Sequence, residues 1–175
     1  MTYNPDVHHR KSIRLKDYDY SKNGMYFITI CTQNRRCVLS EAVGSGLVSA
    51  LQIKLSYIGN LIKKALLDLE NEFNNNIKIY NYVIMPNHIH AIIEIKRADT
   101  RPAPTISDII CSFKSRTTLY ILKEIKLGKI KPFNKRFWQR NYYEHVIRNE
   151  KELYKIIEYI ENNPYNWKDD PNYVE

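Results

Sequence analysis

The sequence has few cysteines and lacks any long uninterrupted apolar segment. Its three cysteines, Cys31, Cys37 and Cys111, form no Cys-x-x-Cys pair, so neither a disulfide framework nor a cysteine-ligated zinc site is indicated. Cys31 and Cys111 lie in apolar runs, which predicts buried thiols in a reducing compartment. No segment reaches membrane-spanning length, and residues 1–11 lack the apolar core of a signal peptide. We therefore expect a cytoplasmic protein without a membrane partner.

Two common signatures of phosphate chemistry are also missing. The nearest candidate for a nucleotide-binding loop is Gly44-Ser45-Gly46, which lacks the Gly-Lys-Ser/Thr that a P-loop requires. The sequence also has no plausible cluster of carboxylates for a nuclease that uses two metal ions. Any phosphoryl chemistry must therefore rely on other groups.

Positive charge and apolar residues are both well represented. The 175 residues carry a formal net charge of +8, and 43% of them are hydrophobic. This length and composition fit one globular domain with a sizeable core. A basic surplus on a small domain favours a polyanionic partner, and nucleic acid is the first candidate. The alternative is a basic protein with no special partner.

Apolar periodicity predicts an α+β domain. The expected elements alternate in the order β-α-β-β-α-β and end with a helix; they cover residues 25–32, 49–73, 77–85, 88–95, 106–125, 142–147 and 150–162. This order is that of a ferredoxin-like split βαβ sheet with two helices on one face. We expect a basic N-terminal arm at 1–24, one domain at 25–164 and a short tail at 165–175.

His88-Ile89-His90 is the most informative motif. On a β-strand, residues two apart point to the same face. Both imidazoles would therefore lie on one face of the sheet, with Ile89 directed to the core on the other. Two converging imidazoles form a metal-site pattern, because neutral imidazole is a common ligand. A chance pair on an amphipathic strand would look the same.

The last predicted helix carries a second candidate pair. Tyr159 and Asn163 are four residues apart, so they share one helical face. A separate apolar stripe can pack this helix against the sheet, and it consists of Leu153, Ile156, Ile157 and Ile160. The alternative roles are a packing tyrosine and a C-cap ahead of Pro164.

Three longer segments contain or accompany these residues: Tyr82-Val83-Ile84-Met85-Pro86-Asn87-His88-Ile89-His90, Phe137-Trp138-Gln139-Arg140-Asn141-Tyr142-Tyr143-Glu144-His145-Val146-Ile147-Arg148 and Tyr159-Ile160-Glu161-Asn162-Asn163-Pro164. Together they resemble the single-tyrosine HUH transposases, and within them the branch of REP-associated tyrosine transposases. The resemblance runs from about Arg10 to Pro164.

The resemblance implies a C-terminal catalytic helix and a DNA strand transferase. By this likeness, His88, His90 and Asn163 bind a divalent cation, either Mg²⁺ or Mn²⁺, and Tyr159 is the nucleophile. The enzyme would nick and rejoin single-stranded or hairpin-flanked DNA through a 5′-phosphotyrosine intermediate. Relatives include both monomers and homodimers that exchange the tyrosine helix, so either arrangement is open here.

Secondary site residues follow from charge, aromaticity and the same likeness. Candidate DNA contacts are Arg14, Arg35, Arg36, Lys114, Ser115, Arg116 and Arg140. Candidate stacking residues are Tyr26, Trp138 and Tyr142, with Trp138 alternatively in the core. His145 is either an accessory site residue or a structural histidine, and Tyr143 is a rival nucleophile.

Two other functions compete with the transposase hypothesis. One is a non-catalytic, domesticated protein that binds single-stranded or hairpin DNA, for which metal-independent binding and no covalent adduct are expected. The other is a hydrolase in which His88 and His90 hold a metal that activates water. The hydrolase would still cleave DNA after Tyr159→Phe, whereas the strand transferase would not.

Overall fold

The fold is built around a four-stranded antiparallel sheet. The computed structural model describes residues 23–44, 51–96 and 104–174. The strands are β1 (Gly24–Cys31), β4 (Ile77–Ile84), β5 (His88–Ile95) and β6 (Tyr143–Ile147), in the order β4-β5-β1-β6. This order confirms the split βαβ sheet, with β1 and β5 at its centre.

Two long helices accompany this sheet. Helix α1 covers Tyr57–Glu72 and helix α2 covers Ile106–Lys126. The Ser56 side chain caps α1 by accepting from the amide of Gly59, and Thr105 with Asp108 forms a capping box at the start of α2. These caps satisfy amides that have no partner inside the helix.

The apolar residues of the central strands alternate as the sequence predicted. Ile28 and Ile30 of β1 and Ile89 and Ile93 of β5 are fully buried in one large cluster. That cluster also contains residues of both long helices, namely Ile62, Ala65, Leu66, Leu69, Ile106, Ile109, Ile110, Phe113 and Ile121. Ile89 therefore points into the core, and His88 and His90 lie on the opposite face of β5.

The third helix, α3 (Glu150–Asn162), packs on that opposite face. Its apolar stripe contributes Ile160, with Leu153, Ile156 and Ile157 beside it, to a smaller cluster. Phe27, Ile92 and Ile147 of the sheet complete this cluster. The predicted stripe thus docks the helix that carries Tyr159 beside the two histidines.

The prediction of one helix over residues 49–73 was wrong at its beginning. Strands β2 (Ser40–Gly44) and β3 (Leu51–Leu55) form a separate antiparallel hairpin, and α1 begins only at Tyr57. Leu51 and Leu55 are spaced for a helix as well as for alternate strand positions, so apolar spacing alone did not separate the two. Ser56 ends the strand and caps the helix.

Gly59 explains why α1 can begin there. A Cβ atom at this position would lie 2.0 Å from the carbonyl oxygen of Leu39. Only glycine allows the first turn of α1 to approach the chain that leads into β2. The same contact region is fixed by the amide of Ser56, which donates to that carbonyl oxygen over 2.9 Å.

The segment after Pro164, which we predicted to be a polar tail, lies against the histidine face. It contains a short 3-10 turn, Trp167–Asp169, and the side chains of Trp167 and Asp170 are buried. The thiol of Cys111 is exposed and that of Cys31 only half-buried, so the prediction of two buried thiols was wrong. Among the described helices, none is long and apolar enough to cross a membrane.

Candidate active site

The two histidines are held by strand pairing at the centre of the sheet. In the register of β1 and β5, His88 lies opposite Cys31 and His90 opposite Thr29. The ring of His90 stacks on Phe27 with centroids 5.3 Å apart. The two imidazoles converge so that their Nε2 atoms are 2.9 Å apart. The structure therefore brings the predicted pair together.

Asn87 determines which nitrogen of His88 carries a proton. Its amide nitrogen donates to the carbonyl oxygens of Arg35 and Asn172, at 3.3 and 2.8 Å. Its Oδ1 atom must then be the group that faces Nδ1 of His88, at 2.8 Å. Because an amide oxygen only accepts, His88 donates from Nδ1, and its Nε2 presents a lone pair. This is the tautomer that a metal ligand needs.

Both histidines are neutral at physiological pH. Burial, with a smaller contribution from the neighbouring His90, lowers the pKa of His88 to about 3. Burial also lowers the pKa of His90, against the opposing effect of Asp170. A buried imidazolium would be costly here because it would lose its hydration. A neutral imidazole is the form of histidine that binds a metal cation.

Asp170 is a site residue that the sequence analysis missed. Its Oδ2 atom lies 3.8 Å from Nε2 of His88, and the ligand atoms of His88, His90 and Asp170 all lie within 4.8 Å of one another. Burial raises the pKa of this carboxyl, but hydrogen bonds with His90, Asn163 and the amide of Asn172 outweigh that and lower it. The group is therefore an anion at neutral pH.

Tyr159 projects from α3 towards the same point. Its hydroxyl lies 3.3 Å from Nε2 of His90, and its ring contacts Phe27 edge-on at 6.0 Å. Burial and the charge of Asp170 raise its pKa, while a hydrogen bond with Asn163 lowers it. The phenol is thus protonated at neutral pH. It is also 42% exposed, so a large substrate can reach it.

Asn163 lies one turn after Tyr159, as predicted. Its amide nitrogen donates to Oδ2 of Asp170 over 2.8 Å. Its Oδ1 atom is buried, and within the described part of the chain it has no hydrogen-bond partner. A buried amide oxygen without a partner is unfavourable unless a cation or water binds it. The prediction that Asn163 is a ligand is compatible with this geometry.

The donor set fits a divalent cation. Two nitrogens about 2.1 Å from one metal ion and at right angles around it lie about 3 Å apart, close to the 2.9 Å observed between the Nε2 atoms. Two neutral imidazoles, one carboxylate and one amide oxygen are ligands for Mn²⁺, and for Mg²⁺ with less preference because of the nitrogens. His88, His90 and Asp170 could therefore hold such an ion, with the oxygen of Asn163 beside them.

Comparison with known proteins shows the family to which the chain belongs. Residues 20–163 match the family described as IS200-like transposases. The chain belongs to the IS200-like transposase family. The match includes His88, His90, Tyr159 and Asn163 and ends before Asp170.

Two relatives come from Haemophilus influenzae. One is a protein of unassigned function that is 38% identical over 190 aligned residues, which cover 99% of this chain and 98% of that protein. The other, provisionally named a REP-associated tyrosine transposase, is 27% identical over 163 residues, which cover 83% and 73% of the two chains.

A solved structure has a similar fold. It is a REP-associated tyrosine transposase bound to a REP hairpin, with a TM-score of 0.59 and 22% sequence identity. The alignment covers 90% of this chain and 80% of that one. The resemblance predicted from the sequence is thus confirmed.

The basic residues predicted to contact DNA occupy different environments in this IS200-like family member. Arg14 lies outside the described residues. Lys114 donates to the carbonyl oxygens of Gln139, Arg140 and Asn141 over 3.0 to 3.2 Å. Burial lowers its pKa to about 8. This lysine fixes the chain that leads into β6, and DNA contact by it stays a prediction.

Three predicted arginines also contact the protein itself. Arg35 donates to the carbonyl oxygen of Pro171 over 3.1 Å, Arg36 lies over the ring of Phe133, and Arg116 pairs with Glu72. Ser115 and Arg140 line a cavity of about 430 Å³ together with Lys135 and Arg136. Lys114 also lines that cavity, so four basic residues border it.

His145 and two of the predicted stacking residues have structural contacts. Nε2 of His145 lies 2.6 Å from Oε1 of Glu152, a hydrogen bond that joins β6 to α3. Tyr26 is fully buried, and Trp138 is 4% exposed and donates to the hydroxyl of Thr117. Stacking by these two aromatics is therefore excluded, while Tyr142 is only partly buried.

Proposed function

We propose that this IS200-like transposase nicks and rejoins single-stranded DNA through a covalent bond to Tyr159. The observation that carries the proposal is the convergence of four groups on one point. The hydroxyl of Tyr159 lies 3.3 Å from His90 Nε2, within a buried cluster of His88, His90 and Asp170. A nucleophile beside a candidate cation site is the arrangement that phosphoryl transfer needs.

The reaction begins at Tyr159. Its oxygen attacks the scissile phosphorus, the bond from phosphorus to O3′ breaks, and the phenolic proton is lost as the new bond forms. The DNA strand then ends in a 3′-hydroxyl, and its other part is joined to the enzyme as a 5′-phosphotyrosine. Because the pKa of Tyr159 is raised, its neutral phenol is a weak nucleophile in the free protein. Its activation must therefore occur in the complex with DNA and the metal ion.

The side chains around Tyr159 orient the reacting groups. His88, His90 and Asp170 would hold a divalent cation, with Asn163 as a further oxygen donor. When bound, Mg²⁺ or Mn²⁺ supplies a Lewis acid that withdraws charge from a phosphate oxygen. Asn87 keeps His88 in the tautomer with a free Nε2 lone pair. The edge contact with Phe27 fixes the ring of Tyr159 in place.

Rejoining follows from the same chemistry. The phosphotyrosine retains the phosphodiester bond energy, so a 3′-hydroxyl can attack it and release Tyr159 without nucleotide hydrolysis. The absence of a P-loop from the sequence agrees with this. A hydrolase would instead use water and would leave Tyr159 dispensable.

Hairpin DNA with single-stranded flanks is the substrate that we infer. The protein of similar fold is a transposase bound to a REP hairpin, and the present chain has a net charge of +8. The basic cavity formed by Lys135, Arg136 and Arg140 is a suitable contact for a phosphate backbone. We expect a protein that acts on such DNA in the cytoplasm, as a monomer or a homodimer.

A covalent-adduct assay tests the proposal. The protein is incubated with a 5′- or 3′-labelled library of hairpins with random single-stranded flanks, in Mn²⁺, Mg²⁺ or EDTA, and the products are separated on denaturing gels. We expect a protein–DNA adduct that forms with the metal ion and is absent in EDTA. Tyr159→Phe should abolish it.

Tyr154→Phe is the matched control, because Tyr154 lies on the same helix and is exposed. This variant should form the adduct as the unmodified protein does. Metal-dependent cleavage that persists in Tyr159→Phe would instead identify a hydrolase. Binding without any cleavage in either metal would identify a non-catalytic DNA-binding protein.

A further inference from the structure

A cavity lies beside the candidate active site and has no role in the cation site of His88, His90 and Asp170. It has a volume of about 470 Å³ and is bordered by Tyr159 and His90. A group that enters it therefore lies next to the hydroxyl of Tyr159 and the ring of His90. The other walls are formed by β1, by the chain that leads into β6, and by Asn172 of the C-terminal segment.

One wall of the cavity is aromatic. Phe27 and Tyr143 meet edge-to-face at 6.3 Å, and Phe27 meets Tyr159 in the same way at 6.0 Å. Tyr143 is 56% exposed although it is large and apolar. A flat group can stack on the exposed face of such a ring without disturbing the core.

The remaining wall is polar and held in place. The residues Gln139, Asn141 and Asn172 border the cavity. The carbonyl oxygens of Gln139 and Asn141 are bound by Lys114, and the amide of Gln139 donates to Cys31 over 2.9 Å. Carboxamides offer both donors and acceptors, as the edge of a nucleobase does.

The geometry points to a nucleobase pocket, in which the base of a nucleotide next to the scissile phosphate leaves its neighbours and stacks on Tyr143. This inference rests on the proposed function for the position of the phosphate. Aromatic stacking with an unpaired base is tolerant of sequence, so the carboxamides would add the preference for one base. Tyr143 then acts in binding, and it is not a second nucleophile.

Fluorescence of 2-aminopurine tests the pocket without any cleavage. Tyr159→Phe protein is mixed in EDTA with a DNA hairpin whose single-stranded flanks carry 2-aminopurine at one position at a time. We expect quenching at one position next to the nick site, and loss of that quenching when Tyr143→Ala is added. Tyr143→Phe should retain it, and Tyr154→Ala should leave it unchanged.

The affinity of the same probes gives a second readout. Removing one base–aromatic stack costs about 1–3 kcal/mol, so Tyr143→Ala should weaken binding about 5- to 150-fold. Quenching that is unchanged in Tyr143→Ala, or absent at every position, would overturn the pocket. Failure of the proposed function is seen separately, as the absence of a covalent adduct in Mn²⁺ with Tyr159 intact.

Discussion

The two faces of the central sheet use the same strands for different purposes. On one face, Ile28, Ile30, Ile89 and Ile93 are fully buried among residues of α1 and α2. On the other face, His90 meets Tyr159 of α3 and His88 meets Asp170 of the C-terminal segment. The apolar cluster on this face is much smaller. Along β5, residues that stabilise the fold thus alternate with residues of the candidate active site.

This separation explains how a polar site can lie inside a small domain. Burying neutral imidazoles and a carboxylate is costly, and a domain tolerates the cost only where other burial exceeds it. The large cluster supplies that burial on the opposite face. The difference predicts that adjacent substitutions on β5 will have separate effects on activity and on stability.

Truncation of His90 should give the largest effect on activity. His90→Ala removes a candidate metal ligand and the neighbour of Tyr159, so the rate of adduct formation in Mn²⁺ should fall by about 10³-fold or more. The circular dichroism spectrum should remain that of a folded protein. Adduct formation at an unchanged rate would show that the polar face has no role in the reaction.

Truncation of the adjacent residue should affect stability. Ile89→Ala leaves a cavity in the large cluster and should lower the free energy of unfolding by about 2–5 kcal/mol. Urea denaturation measures this change, and Mn²⁺ titration of the folded variant should give an affinity close to that of the unmodified protein. A loss of Mn²⁺ binding with normal stability would contradict the separation of the two faces.

The buried histidines should make stability depend on pH in the metal-free protein. The pKa of His88 is about 3 in the fold, against 6.5 for a free histidine. Between these values the unfolded chain binds more protons, so stability is fully present above pH 6.5 and decreases as the pH falls towards 3. The loss between pH 6.5 and pH 4 should be about 3 kcal/mol.

Urea denaturation in EDTA at a series of pH values measures this loss. His88→Gln should show a smaller decrease over the same range, because residue 88 then no longer titrates. A stability that is constant from pH 7 to pH 4 would contradict a neutral, buried His88.

Removal of the hydrogen bond behind His88 should give the smallest effect. Asn87→Ala leaves Nδ1 of His88 without its acceptor, so the imidazole loses its fixed tautomer and orientation. The affinity for Mn²⁺ should fall about 10- to 100-fold, as measured by isothermal titration. Tyr165→Ala, at an exposed position after α3, is the matched control and should bind Mn²⁺ normally.

Much of the fold could be predicted from local sequence patterns. The hairpin of β4 and β5, helix α2 and helix α3 follow from periodicity and turn residues, and the alternation at Ile89 gave the correct face for both histidines. The hairpin of β2 and β3 could not be predicted, because its apolar residues are also spaced for a helix. The pairing of β2 with β3 and the close approach of Gly59 to Leu39, both of which are tertiary contacts, separate the two.

Less of the site could be predicted. Asp170 lies in a polar segment without periodicity, and it is fixed by a hydrogen bond with the nearby Asn163 and by a contact with His90, which is distant in sequence. Trp167 and Tyr173, which pack on each other at 5.2 Å, were the available signal that this segment is held against the domain. Lys114 likewise looked like a phosphate contact, whereas its three carbonyl partners become visible only in the fold.

Identification of the residue joined to DNA is the most direct test of the central claim. After reaction with the hairpin library in Mn²⁺, nuclease trimming and proteolysis, mass spectrometry should find a nucleotide on the peptide that contains Tyr159. His88→Ala protein should give no such peptide. A nucleotide on Tyr143, or cleaved DNA without any modified tyrosine, would contradict the account.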